Sequence, residues 1–424
     1  MANDQPTPLD RPLPIFSWAM YDFANTIYSA IVVTAFLPNL MATLAGRDLY
    51  TGLAQTVSMV LAGLMVPVAG AIADRTGRGK RYLWWFTIAC CAASAGIGLV
   101  ANDAHYKGEG VLAPTGVIVA VLVLFGLANL TYQASLVFYN SLLPAVASPR
   151  RQGLVSGFGV GLGYLGADVA MAIAFVVWLK TGVMWIGFVL AGVLFFVSAL
   201  PLFLFVRPPQ PVERVRVTWG LLGRQFPELW QTIRSVWRLP PVLFFFIGNF
   251  LCVDVVNTLI MWTRRYLEGG PGFSEKLSLL ALLAMGVSAF PLGLLIGFLT
   301  DWVGPKRMML ASQASMLACI AVAASATSPW VILPVIVVLG SSGLAGTWTA
   351  GRKWLLEVAP PEKVGEFFGL YGITVKLSVF GCTLFAAVAD WIGYRVALSS
   401  LLVPLAIGIV FLAIARPQRV GSAA

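Results

Sequence analysis

Charge is the scarcest feature of this chain: Asp, Glu, Lys and Arg together make up 11% of its 424 residues, while 59% are hydrophobic and the mean hydropathy is +0.85. A soluble chain carries about 25% charged residues, so a water-exposed globular fold is excluded. Histidine is nearly absent, with His105 alone, and the five cysteines (Cys90, Cys91, Cys252, Cys319, Cys382) all fall within apolar runs. No His/Cys cluster is left for a metal, and the thiols read as small packing residues rather than as a disulfide framework. No GxxxxGK[ST] phosphate loop occurs, which argues against an ATP-driven pump. Neither an enzyme site of the soluble kind nor a metal or cofactor is expected. A cleavable leader is not expected either, because "MANDQPTPLD" has no basic start and the first apolar run is long enough to span.

What the chain does have is apolar length. Runs of ~20 residues cross a bilayer as helix, and twelve occur, at 15–41, 52–73, 82–101, 112–146, 153–178, 183–206, 241–263, 277–300, 307–326, 330–358, 364–389 and 393–415. Their continuity excludes a barrel, whose strands would be short and alternating. The net charge of +10 does not point to nucleic acid, because it is sorted by side. With both termini cytoplasmic, only Arg47, Lys107, Lys180, Arg264, Arg265, Lys276 and Arg395 fall in outside loops, and Lys376 lies within a helix. The rest lie inside, which is the positive-inside bias. The expectation is an all-α multi-pass protein surrounded by membrane lipids, a monomer, with short tails that suit a bacterial cytoplasmic membrane.

The chain also repeats itself. "GAIADRTGRGKR" at 70–81 is echoed by "GFLTDWVGPKR" at 297–307, aligning Gly70 with Gly297, Asp74 with Asp301 and Gly77 with Gly304. "VASPRRQGLVSG" at 146–157 is echoed by "VAPPEKVGEFFG" at 358–369, and Asp22, Asn25 and Thr26 by Asp254, Asn257 and Thr258. Three echoes in register describe a six-plus-six duplication: residues 1–206, a linker at 207–240, and residues 241–424. Within the linker Trp219, Leu222, Phe226, Leu229, Ile233 and Trp237 recur at helical spacing with arginines between them. That pattern suits either an amphipathic helix on the cytoplasmic leaflet or a plain connector, and Pro227 interrupts it.

The GxxADRxGRxxR pattern resembles the loop signature of the major facilitator superfamily, and the second, degenerate copy stands where that family repeats it. "YDFAN", "FYNSLLP" at 138–144 and "EFFGLY" at 366–371 further resemble the branch of vacuolar amino-acid effluxers and their bacterial relatives. The resemblance implies two pseudo-symmetric six-helix bundles rocking about a central cavity, with substrate bound near the midplane. It also implies a cytoplasmic gate built on Gly70, Asp74, Gly77, Gly297, Asp301 and Gly304. Both aspartates would act on neighbouring helix ends, and Arg75, Arg78, Lys306 and Arg307 would be ion-pair partners. The chain departs from proton-driven drug exporters: the middle of its fourth run has no arginine, and its fifth has no Gly-Pro motif.

Ionisable groups at bilayer depth cost at least ~2.5–3.5 kcal/mol each and normally face a cavity or a partner. Asp22 with Asn25, and Asp254 with Asn257, lie one turn apart on runs one and seven; Asp168 follows Tyr164 by one turn on run five. Asn129, Gln133 and Asn140 form a polar face on run four, and Arg352, which aligns with Asn140, and Lys376 supply cations. Arg352 or Lys376 is expected to hold an anionic group of a small-molecule substrate, because a guanidinium fork fits carboxylate or phosphate. The helix-four amides and Tyr164 would read its polar edges. Asp22, Asp168 and Asp254, with Asn25 and Asn257, are expected at a H+ or Na+ coupling site. The alternative is a fixed network in which Asp22 or Asp168 pairs with Arg352 or Lys376. The expected function is secondary transport of a small polar organic solute such as an amino acid. A cation-coupled glycoside symporter is the nearer rival, although 52–73 lacks the acidic pair it needs. A transporter-like sensor or lipid scramblase is the more distant one.

Overall fold

A computed structural model describes residues 9–45, 49–102, 113–183, 185–207, 227, 230–377 and 380–415. Backbone polar groups have no water partner in a bilayer, so spanning segments must satisfy them internally, as helix or closed barrel. The described residues are helical throughout, with no strand among them. Eleven crossing helices are long and apolar enough to span on their own. These are α1 (Pro12–Ala45), α2 (Val57–Thr76), α3 (Gly79–Ala101), α4 (Thr115–Ser141), α5 (Gln152–Thr181), α6 (Trp185–Phe205), α7 (Pro240–Gly269), α8 (Glu275–Val303), α9 (Pro305–Ser325), α10 (Pro329–Val358) and α12 (Tyr394–Ile414). The remaining crossing, between α10 and α12, is described on either side of residues 378 and 379, here labelled α11a (Val364–Leu377) and α11b (Phe380–Trp391).

The apolar runs located these elements but not their details. Run four ends early, at Ser141, and a separate short helix, Leu143–Val146, follows with Pro144 in its first turn, where a missing N–H does no harm. The fifth and seventh helices extend to Thr181 and Gly269, past the ends read from hydropathy. Two π-helical stretches, Ser29–Phe36 in α1 and Ile336–Gly340 in α10, carried no signal in composition. Of the linker stripe, Trp219, Leu222, Phe226 and Leu229 lie outside the described residues, as do Arg47, His105 and Lys107. Residues 230–237 are helical, with Trp230 and Trp237 exposed, Thr232 and Val236 buried, and the Lys363 ammonium donating to Thr232 Oγ1 at 2.9 Å.

The two halves pack alike. In the first, α1 lies on α5 and α6, α3 on α4 and α6, and α2 on α4; in the second, α7 lies on α12, α9 on α10 and α12, and α8 on α10. Between the halves, α5 packs on α8 and α2 on α11a, with further contact of α5 to α10 and α4 to α11a. Each inter-half pair is the image of another under the duplication, so this is the twelve-helix, two-bundle architecture expected. Twelve crossings place both chain ends on one side, here termed the terminal face. Gly77 (φ 61°) and Gly304 (φ 92°) turn the chain there between α2 and α3 and between α8 and α9. A left-handed turn of this kind favours glycine.

Candidate functional site

At the terminal face the aligned aspartates reach across the molecule. Asp74, at the end of α2, accepts hydrogen bonds from the backbone N–H groups of Gly365 and Glu366, both at 2.9 Å. These are among the first N–H groups of α11a, which have no partner inside their own helix. Asp301, at the end of α8, accepts from Gly153 N–H at 2.8 Å and Leu154 N–H at 2.7 Å, at the start of α5. Each carboxylate therefore caps, in trans, the positive end of a helix in the other half, where negative charge is favoured. Glycine makes the approach possible. A Cβ on Gly365 would lie 2.7 Å from Asp74 Oδ1, and one on Gly153 would lie 2.6 Å from Asp301 Oδ1.

For Asp301 the structure shows an ion-pair partner that the resemblance did not imply. Asp301 is paired with Lys353 of α10 at 2.5 Å, both largely buried. Lys306 instead donates to the carbonyls of Ala413 and Ala415, tying α9 to the end of α12; Lys80 makes the equivalent tie from α3 to Val206. Asp74 has no cation within salt-bridge distance among the described residues. Arg78 flanks the turn before α3.

The glycine ladder continues the closure. Gly157 faces the Gly293 carbonyl so closely that a Cβ would sit 2.0 Å from it, and Gly70 and Gly297 meet the Gly365 and Gly153 carbonyls at 2.3 and 2.6 Å. Gly157→Ala is accordingly expected to destabilise the protein by about 1–3 kcal/mol through overpacking. Gly126→Ala, with nothing within 4 Å, is expected to leave it unchanged. Thermal unfolding of the two purified variants checks the difference.

Deeper in, the halves are joined by charge. Arg352 of α10 donates to Asp22 of α1 through both terminal nitrogens, at 2.7 and 3.2 Å, and both side chains are about nine-tenths buried. The guanidinium also lies over the rings of Trp18 and Tyr139, at 5.8 and 5.7 Å. Asn25 adds a hydrogen bond to Asp22 Oδ1 at 3.1 Å, and Trp18 donates to the Tyr139 carbonyl. The fixed-network alternative thus describes Asp22 as it stands, and Arg352 is not open to an anion while this pair holds. Tyr139 lies within the FYNSLLP stretch without a role having been expected of it, and Trp18 carries no positional mark, because aromatic residues are common in such runs.

The other candidates are scattered around this pair. Lys376 is buried on α11a, and its ammonium reaches the Gly372 carbonyl at 3.2 Å, with no carboxylate in range among the described residues. Asp254 is buried on α7 and accepts from the N–H of Gly381 on α11b at 3.1 Å. Asn257 lies one turn beyond it. Asn129 donates to Ser58 of α2 at 2.7 Å inside the first half. Gln133 is buried, and Asn140 has a buried, unpartnered side-chain oxygen. Tyr164 packs near Trp348, and Asp168, one turn later, presses a carboxylate oxygen against Gly286 of α8.

A twelve-helix bundle of two matched halves, latched across one face and bridged by buried charge, is the architecture of a membrane transporter. The chain belongs to the Major Facilitator Superfamily, whose family model matches residues 19–378 and 280–423. It is 26% identical over 418 residues to the MFS-type transporter YxiO of Bacillus subtilis, covering 94% of this chain and 93% of that one. It is 23% identical over 277 residues to autophagy-related protein 22-1 of Aspergillus fumigatus, covering 56% of this chain and 44% of that one. Among solved structures, a bacterial homologue of the iron transporter ferroportin in an outward-facing state superimposes with a TM-score of 0.73 at 13% identity, covering 95% of this chain and 98% of that one.

Proposed function

We propose that the chain is a secondary active transporter that carries a small polar organic solute, such as an amino acid or related metabolite, by alternating access coupled to H+ or Na+. The duplicated trans-cap carries this reading. Two matched carboxylates close one face of the molecule, while α1 and α7 make no comparable contact among the described residues. The positive-inside bias supports a cytoplasmic position for the closed face. Rocking the bundles would break both caps. The partial match to autophagy-related protein 22 supports placing the chain in the vacuolar amino-acid effluxer branch, and the full-length match to a Bacillus subtilis relative supports a bacterial cytoplasmic membrane.

Because Asp22 neutralises Arg352, Lys376 is the cation left to meet an anionic group, with Gln133, Asn140 and Tyr164 as polar contacts. A buried ammonium lacking a counter-ion is a functional site by default at this depth. Asp22 and Asp254 serve coupling: protonation or Na+ binding at Asp22 would release Arg352 and, with it, the bridge between halves. In proteoliposomes, Asp22→Asn and Asp254→Asn are each expected to remove gradient-driven uptake while exchange without a gradient persists. Unchanged uptake in both would end the coupling assignment. The solute itself is found by thermal-shift screening of the purified protein, since a ligand stabilises by RT ln(1 + [L]/Kd). Failure of every amino acid, and of organic acids, sugars and nucleosides with them, would end the polar-solute reading.

A further inference from the structure

One cavity contains none of Asp22, Arg352 and Lys376, and shares only Tyr164 with the solute contacts proposed above. It has a volume of about 160 Å³ and is lined by Tyr164 and Asp168 of α5 together with apolar side chains of α7 to α10 and α12. Asp168 lies nine residues beyond Gly159, whose Cβ position abuts the Asp22 carboxylate. At 1.5 Å per residue it is roughly 13 Å farther along α5, away from the terminal face.

Asp168 is the only charged group on this lining. No hydrogen bond or ion pair engages it among the described residues, and its Oδ2 is buried with no partner. The lack of a side chain at Gly286 makes room for that oxygen, since a Cβ there would lie 2.1 Å away. The remaining polarity is largely used up. Thr263 donates to the Leu259 carbonyl at 2.6 Å and Tyr266 donates to the Ala323 carbonyl. The Tyr164 hydroxyl, one turn from Asp168, already meets the Trp348 indole and keeps only its remaining hydrogen-bonding capacity for a ligand. The π-helical stretch Ile336–Gly340 borders the same cavity through Ile336 and Gly340, and such stretches recur at functional sites.

From this geometry we propose that the Asp168 cavity is a binding subsite for a small organic ammonium ion, tertiary or secondary, carrying an apolar body. The carboxylate rejects anions and demands a cationic donor. A hard divalent cation takes six or more oxygen ligands, and the cavity offers a carboxylate and one phenol. A primary ammonium would leave N–H groups dry against Leu, Ile and Met, whereas one or two N–H donors match the acceptors present. The volume is below the ~300–1,000 Å³ of drug-sized pockets, which limits the body to a single ring or short chain. The subsite does not depend on the transport reading, because binding tests one and flux tests the other.

The test uses the full chain in detergent, with N,N-dimethylbenzylammonium as the probe. A saturable rise in melting temperature is expected with this probe, a weaker one with benzyltrimethylammonium, which has the charge but no N–H, and none with benzyl alcohol. Asp168→Asn is expected to weaken apparent affinity by about tenfold to a hundredfold, the range for losing a hydrogen bond to a charged group. Gly286→Ala, which displaces the carboxylate, is expected to act in the same direction. Should neither variant fold, the wild type still decides: the probe should protect Asp168 from dicyclohexylcarbodiimide, as read by peptide mass mapping. Equal shifts with benzyl alcohol, unaltered affinity in a folded Asp168→Asn, absence of protection, or a saturable Na+ response without an amine response would each overturn the proposal. Amine binding without flux of any solute would leave the subsite intact and remove the transport reading.

Discussion

Arg352→Ala is expected to lower the stability of the purified protein by about 3–5 kcal/mol, the range for stranding one member of a buried ion pair. Asp22 would keep its place between α1 and α5 with no cation, since Asn25 offers it a neutral hydrogen bond only. Asp22→Asn is expected to do less harm, because the guanidinium keeps its two aromatic faces, Trp18 and Tyr139. The double variant Asp22→Asn/Arg352→Ala should recover most of the loss, as removing both charges leaves neither one uncompensated. Thermal or denaturant unfolding of the four proteins in one detergent supplies the cycle. Added salt separates a buried pair from an exposed one, because screening acts weakly inside the protein. If all four unfolded within about 0.5 kcal/mol of each other, the pair would be water-exposed and of no more weight than a surface bridge. The consequence for function is direct: the bridge joins a residue of the first half to one of the second, so the halves cannot separate at this depth while it persists.

Much of this arrangement was legible before any coordinates, for reasons tied to the duplication. Asp74 and Asp301 stood out because a carboxylate repeated in register at a helix end implies an equivalent contact in each half. The glycines at 153 and 157 repeat at 365 and 369 for the same cause: the partner helix comes too close for a Cβ. Pairing across the halves was less legible. Arg352 and Asp22 are separated by most of the chain, and hydropathy records depth along a helix but not which way a side chain points. Asn129 illustrates the limit. Its spacing from Gln133 and Asn140 suggested one polar face toward a cavity, but α4 turns that residue toward Ser58 of α2 instead. Lys353 escaped notice because its counterpart in the first half is Ser141, so the duplication, which marked the aspartates, offered no echo. The π-helical turns have no compositional signature at all.

Asp301→Asn should shift the molecule toward the state open at the terminal face, and by more than Asp74→Asn does. The asparagine retains an oxygen for one of the two α5 N–H groups, but its amide nitrogen meets the other donor to donor. It also leaves the Lys353 ammonium, only 7% exposed, without its carboxylate. Asp74 holds two N–H groups and, unlike Asp301, shows no ion pair among the described residues, so its loss is smaller. Each hydrogen bond to a charged group contributes about 1.5–3 kcal/mol, and the three contacts of Asp301 therefore sum to roughly 4–9 kcal/mol before relaxation. Moving a two-state equilibrium from 1:99 to 99:1 takes about 5.5 kcal/mol, so removing one such latch is of the size needed to invert the populations. Spin labels at Arg151 and Trp302, both exposed beside the α5–α8 junction, report the separation by pulsed electron resonance. The wild type should give one short distance, Asp301→Asn a dominant longer one, and Asp74→Asn a mixture, with Lys353→Met intermediate between wild type and Asp301→Asn. An unaltered short distance in both aspartate variants would mean that the glycine packing of α5 on α8 and α2 on α11a holds the face closed unaided, and the carboxylates would then be fixed ornaments of topology instead of a gate.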